Sequence, residues 1–83
     1  MPTISVTIPV ANFWPSADDL SARDSIMASL DALNFGSSIG CGGGRGAVDF
    51  SYQVTDATAA TEIAQRIVRE HLPAAEPQIR ITE

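Results

Sequence analysis

The chain holds one cysteine and one histidine, and Cys41 with His71 is the only pair that offers a nucleophile and a base. A triad needs a third, orienting member, and only Asp49 or Asn12 is placed to serve. Cys41 falls on the inward phase of a short strand, where the simplest role is that of a small core residue, and as a nucleophile it has to leave the core. Arg45 nearby favours its thiolate if it is exposed. One Cys and one His fall short of a zinc-ligand set, and no metal or cofactor is expected. A lone cysteine forms no internal disulfide, in keeping with a reducing compartment. All five basic residues are arginine (Arg23, Arg45, Arg66, Arg69 and Arg80), so Schiff-base and lysine-nucleophile chemistry are excluded. An enzyme is therefore unsupported by any catalytic set.

The second feature is a composition bias: all six glycines fall between Gly36 and Gly46. The run Gly42-Gly43-Gly44-Arg45-Gly46 is neither a P-loop nor a dinucleotide fingerprint, since no Lys-Ser/Thr and no helix follow it. Its successive backbone N–H groups are able to form an anion-binding nest with Arg45 adding charge. The bland alternative is a flexible hairpin whose glycines permit positive φ.

These residues must be positioned by regular elements. Ile4, Val6, Ile8 and Val10 alternate with Thr3, Ser5 and Thr7, which predicts a strand with one buried face. Ser16 and Asp19 form a helix-start signature, and both Asp18 and Asp19 suit the positive end of the dipole. The stripe Ala17, Leu20, Met27, Leu30, Leu33 follows, with Ile26 beside it and Arg23, Asp24 and Asp31 facing water. Asn34 and Gly36 supply the stop. Ile39 and Cys41 alternate with Ser38 and Gly40 as a weak strand, leading through a turn from Gly42 to Gly46 into Val48, Phe50, Tyr52 and Val54. Asp56 caps a second helix over Ala57 to Leu72, with Ala60, Ile63, Ala64, Ile67 and Leu72 inward. Gln78 to Thr82 alternates again, with Ile79 and Ile81 inward.

The order βαββαβ predicts a single domain over residues 1–83, an α+β two-layer sandwich with an antiparallel sheet in order 4-1-3-2 and both helices on one face. In architecture it resembles the ferredoxin-like superfold, which hosts many unrelated activities and carries little functional information. The iron–sulfur cysteine runs, aromatic RNA-recognition motifs and metallochaperone CxxC of that superfold are absent.

This topology gathers residues that are far apart in sequence. Three loops, Ala11 to Pro15, Gly42 to Gly46 and His71 to Pro77, share one end of the sandwich. Asn12, Phe13, Trp14, Gly42, Gly43, Gly44, Arg45 and His71 are the partner- or ligand-binding candidates there. Phe13 and Trp14 have a bland role too, as a staple onto Leu20 in the first helical turn. His71, in the last turn of its helix, favourably meets the dipole's negative end when protonated. The uncovered sheet face carries Thr3, Ser5, Thr7, Asp49, Ser51, Gln53, Gln78, Arg80 and Thr82. It is polar, barely charged, and a candidate interface.

Net charge is −5. Scattered arginines on an acidic chain argue against nucleic acid and against anionic membranes. No apolar run is long enough to cross a bilayer and no secretory pattern opens the chain, so a cytoplasmic location is expected. Abundant alanine without lysine suggests a GC-rich bacterial genome. The expected role is a non-catalytic protein-interaction module, either immunity- or antitoxin-like toward a basic partner or homodimeric through the open face. A regulatory domain binding a small anion at the Gly42–Gly46 turn is the first alternative, and a small dimeric enzyme the second.

Overall fold

In the structure, a computed structural model describing residues 1–83, the chain runs β1 (Thr3–Pro9), α1 (Ala17–Ala32), β2 (Ser37–Gly44), β3 (Ala47–Gln53), α2 (Ala57–His71) and β4 (Gln78–Thr82). One sheet has the order β2-β3-β1-β4, with every neighbouring pair antiparallel. Read from the other edge this is the expected 4-1-3-2, and the two-layer ferredoxin-like arrangement holds. The helices pack on each other, α1 over β3 and α2 over β1.

Alternation builds the core. Ile4, Val6 and Ile8 are fully buried and lie across from Tyr52, Phe50 and Val48 of β3. On the other side, Ile4 and Val6 face Ile81 and Ile79 of β4. Ala60, Ala64, Ile67 and Val68 bring the apolar stripe of α2 down onto this layer, with Ile63 and Leu72 packed at its margin. No buried side-chain polar atom lacks a hydrogen-bond partner. Both helix starts form as their residues predict. Ser16 Oγ accepts from the Asp19 N–H while Asp19 Oδ2 accepts from the Ser16 N–H, and Asp56 accepts from the Ala59 N–H.

The buried line of α1 differs from the expected stripe. Ile26 and Leu30 are fully buried, whereas Leu20 and Leu33 are exposed. Leu33 is the C-cap, past the last helical residue, and the fully buried residues of α1 lie in its C-terminal half. Phe35 follows the helix end and takes the vacant place, edge-to-face with Tyr52 at 5.2 Å. Arg23 and Asp31 do not simply face water either. The Arg23 side chain is only 13% exposed and donates to the Gly42 carbonyl at 3.0 Å. Asp31 accepts the Tyr52 hydroxyl at 2.9 Å.

The glycine-rich segment departs furthest from expectation. Gly42, Gly43 and Gly44 are strand residues paired with Asp49, Val48 and Ala47. The turn is the pair Arg45–Gly46, with φ of 54° and 81°. Positive φ at both central residues is what a two-residue type I′ hairpin needs, because its twist matches that of the strands. Glycine weakens a strand, yet its backbone groups still complete the ladder with β3. Further along β2, a bulge between Ser38 and Gly40 leaves Ile39 unpaired and 53% exposed. Cys41 lies opposite Phe50 and so keeps the inward phase, but β2 is an edge strand and Cys41 is exposed there. It is not a core residue.

Candidate functional site

The loop corner is built by backbone hydrogen bonds between the segment after β1 and the β2–β3 turn. The Val10 N–H donates to the Gly46 carbonyl at 2.8 Å, and the Gly46 N–H donates to the Phe13 carbonyl at 2.6 Å. Residues 10–14 are thereby stitched to the hairpin tip although they form no regular element. On this pinned loop Phe13 and Trp14 stand edge-to-face, with ring centroids 5.1 Å apart. Both are exposed, at 61% and 69%.

Neither aromatic is the staple of α1. Pro15 directly precedes the Ser16 cap, and Leu20 stands at the fourth helical position. A Cβ on Gly43 would lie 3.2 Å from Pro15 Cγ and 3.3 Å from Leu20 Cδ2. Pro15 and Leu20 thus close together over Gly43 and anchor the helix start on β2. That contact frees Phe13 and Trp14 for solvent.

Gly44 does for Trp14 what Gly43 does for the staple. A Cβ on Gly44 would approach Trp14 Cζ3 to 3.3 Å, and its φ of +146° lies in the region open to glycine. Trp14, Gly43, Gly44, Arg45 and Asp49 line a shallow concavity of about 260 Å³. The bare glycine backbone forms its floor, and one cation and one anion stand at its rim. An anion nest on the turn is poorly served, since the Gly46 N–H is committed to Phe13 and the Asp49 carboxylate shares the hollow.

The structure brings together Phe13, Trp14, Gly42, Gly43, Gly44, Arg45 and Asp49, with exposed Asn12 on the same loop. It does not bring in His71. The ring Nε2 lies 3.0 Å from Ser29 Oγ on α1, ten residues along that helix from Asp19. Cys41 stands on the sheet edge, and no hydrogen bond joins it to His71. The conceivable nucleophile–base pair is not assembled. No group of three or more His, Cys, Asp or Glu side chains is arranged to hold a metal ion.

The third loop does reach the same end. Leu72, Pro73, Ala74 and Ala75 line an apolar cleft of about 510 Å³ with Val10, and Asp19 stands at its border. The cleft lies beside the aromatic corner, so the predicted convergence of three loops is real even though His71 turns away.

The open sheet face is ordered by strand register. One row across it reads Gly40, Ser51, Ser5, Arg80, and the next reads Gly42, Asp49, Thr7, Gln78. Ser5 Oγ and Ser51 Oγ are 3.0 Å apart in the middle of the first row. Thr3, Gln53 and Thr82 make a third row below. Every expected open-face residue lies on this face.

Sequence reading missed the Tyr52–Asp31 link. Tyr52 follows the inward period of β3 and reads as one more apolar body, but its hydroxyl reaches α1, donating to Asp31 Oδ1 and lying 3.3 Å from the Met27 carbonyl. Burial, and then the hydrogen bond to the Asp31 carboxylate, push the phenol well above its ordinary range. The available signal was Asp31 four residues after Met27 on the same helix, which places both over one strand position.

No helix is long and apolar enough to cross a membrane. No protein-family model, curated protein or solved structure matches this chain.

Proposed function

We propose that this chain is a non-catalytic protein-interaction module that docks a basic protein partner at the Phe13–Trp14 corner. The carrying observation is the pair of large aromatic side chains left exposed on a loop that two backbone hydrogen bonds tie to the β2–β3 turn. Aromatic residues and arginine dominate binding hot spots because they bury much surface with few rotatable bonds. Trp14, Phe13 and Arg45 supply that chemistry side by side, and a loop already tied to the hairpin has less freedom to lose on binding.

Charge gives the class of partner. The chain carries −5, and Asp18 and Asp19 open α1 directly after the aromatic loop. A basic protein is steered toward such a surface and packs its apolar side chains on the two rings. An immunity- or antitoxin-like role, in which a small acidic protein neutralises a basic one, is the specific form this reading takes. The exposed Cys41 and the Ser29-bonded His71 have no part in it.

The test is native mass spectrometry of the tagged protein recovered from its own cells, beside Trp14→Ala and Phe13→Ala variants. A heteromer with a basic protein, lost in both variants, is the expected result. A heteromer that survives both substitutions would move the interface elsewhere, and a bound small molecule in place of a protein would overturn the reading.

A further inference from the structure

The open sheet face carries only two ionisable side chains, Asp49 on β3 and Arg80 on β4, amid Ser, Thr, Gln and Gly. Neither has a partner within the chain, since the one ion pair is Arg23 with Asp24. Their placement is informative. They sit two strands apart, with β1 between them, and one row apart along the strands. Strand geometry puts them ~12 Å apart, with the midpoint on β1 between Ser5 and Thr7. That midpoint is close to the centre of the whole face.

A two-fold axis lying parallel to the face, through that midpoint and perpendicular to the Asp49–Arg80 line, has a definite consequence. It lays the Arg80 of a second copy over Asp49, and by the same operation the second copy's Asp49 over Arg80. Had the two charges stood near one edge, pairing them would leave most of the face uncovered. Here it superposes the two sheets almost fully, crossing at roughly 70°, nearer the orthogonal than the aligned class of sheet packing. Four strands at ~4.8 Å spacing and ~24 Å length project ~450 Å² per copy. With side-chain relief the pair reaches the lower end of a standard interface, about 1,200 Å² in total.

The face is otherwise uncharged and made of short hydroxyl and amide side chains, and Gly40 and Gly42 leave the β2 side without any. Nothing on it repels a copy of itself. The chain also stands to gain, because only 14 of its 83 residues are buried and small domains are marginal when alone.

We propose that two copies of this chain pair face to face through the open sheet, locked by two reciprocal Asp49–Arg80 ion pairs. This face adjoins the Phe13–Trp14 corner, because Asp49 also lines the hollow beside Trp14, but Arg80 lies outside that hollow and the self-pairing does not rest on the aromatic pair.

Sedimentation equilibrium of the purified chain over a concentration series tests it. A monomer–dimer equilibrium that weakens with added salt is expected, as partly exposed ion pairs are screened. Asp49→Arg and Arg80→Asp each set like charges opposite one another twice and should weaken dimerisation at least tenfold. The double exchange Asp49→Arg/Arg80→Asp restores opposite charges and should recover most of that loss. Phe13→Ala should leave self-association unchanged while abolishing the heteromer, which separates the two readings. All the substituted positions are exposed, and circular dichroism checks that each variant folds. A chain monomeric at every concentration, or a dimer indifferent to the single reversals, would overturn the pairing. So would a double exchange no better than the singles.

Discussion

Two aromatic clusters in this molecule share a geometry and differ in everything else. Phe35, Tyr52 and Phe50 meet edge-to-face at 5.2 and 6.0 Å, and Phe13 and Trp14 meet edge-to-face at 5.1 Å. The first cluster lies beneath α1, with its one polar atom satisfied by Asp31. The second stands in solvent on a loop held only by backbone hydrogen bonds. Ring geometry alone therefore does not say what an aromatic pair is for. What surrounds the pair decides, because burial converts aromatic area into folding stability and exposure reserves it for association.

The comparison breaks most openly in Phe50→Ala. Removing a fully buried ring at the centre of β3 should cost about 3–5 kcal/mol. A domain of this length has only about 4–12 kcal/mol in total. Urea denaturation followed by far-ultraviolet circular dichroism should show a midpoint lowered by about a quarter or more, or no folded baseline. A loss below about 1 kcal/mol would mean that the buried cluster is not what holds the sandwich together.

Next in size is Gly44→Val, which sharpens the contrast by attacking the frame of the exposed pair. A side chain there meets Trp14 Cζ3 and must adopt a φ of +146°. Strain of about 1–3 kcal/mol is expected, together with displacement of the indole. Near-ultraviolet circular dichroism of the Trp14 band should weaken. An unchanged band with unchanged stability would show that the corner is not set by the bare strand beneath it.

Tyr52→Phe probes the one polar atom of the buried cluster. Losing the bond to exposed Asp31 should cost about 0.5–1.5 kcal/mol at neutral pH. The larger signature is in alkali. The native phenol holds its proton to higher pH than the unfolded one, whose pKa is about 10. Wild-type stability is thus unaffected by this group below pH ~10 and falls as pH rises above it, where the unfolded state ionises first. The Phe variant should lack that part of the alkaline slope. Equal slopes in the two proteins would mean that Tyr52 ionises as easily folded as unfolded.

Much of this was legible in the residues. The period of two in β1 and β3 fixed which side chains are buried, and the Ser16 and Asp56 caps placed both helix starts. Strand order followed from βαββαβ connectivity, and with it the three loops at one end. The misreadings share a cause. Cys41 had the correct phase but lies on an edge, and phase does not reveal whether a helix extends over a strand's outer flank. Gly42 to Gly44 looked like turn because glycine usually marks turns, whereas here the missing side chains of Gly43 and Gly44 admit Pro15, Leu20 and Trp14. Phe13 and Trp14 were readable as a staple until Pro15, one residue nearer the cap, proved to hold that place. Each error concerns what a second element leaves covered or bare, which no linear pattern contains. His71 is the same case, since only the packing of α2 on α1 turns it toward Ser29.

The smallest expected effect on stability tests the exposed cluster itself. Trp14→Ala removes the largest exposed side chain on the loop, but the loop is held by the backbones of Val10, Phe13 and Gly46, which the substitution leaves in place. An edge-to-face pair is worth about 0.5–1.5 kcal/mol when enclosed; with both rings mostly in water, the change should stay within about 0.5 kcal/mol. Trp14 is also the sole tryptophan, so its fluorescence reports this corner alone. Because the native indole is already solvated, denaturant should move its emission maximum little while circular dichroism records the full transition. Binding of a partner should shift the emission to the blue, and Trp14→Ala should weaken that binding by at least about 2 kcal/mol, or ~30-fold. A stability loss above 2 kcal/mol, or a strong red shift on unfolding, would instead make the pair part of the core and erase its distinction from Phe35, Tyr52 and Phe50.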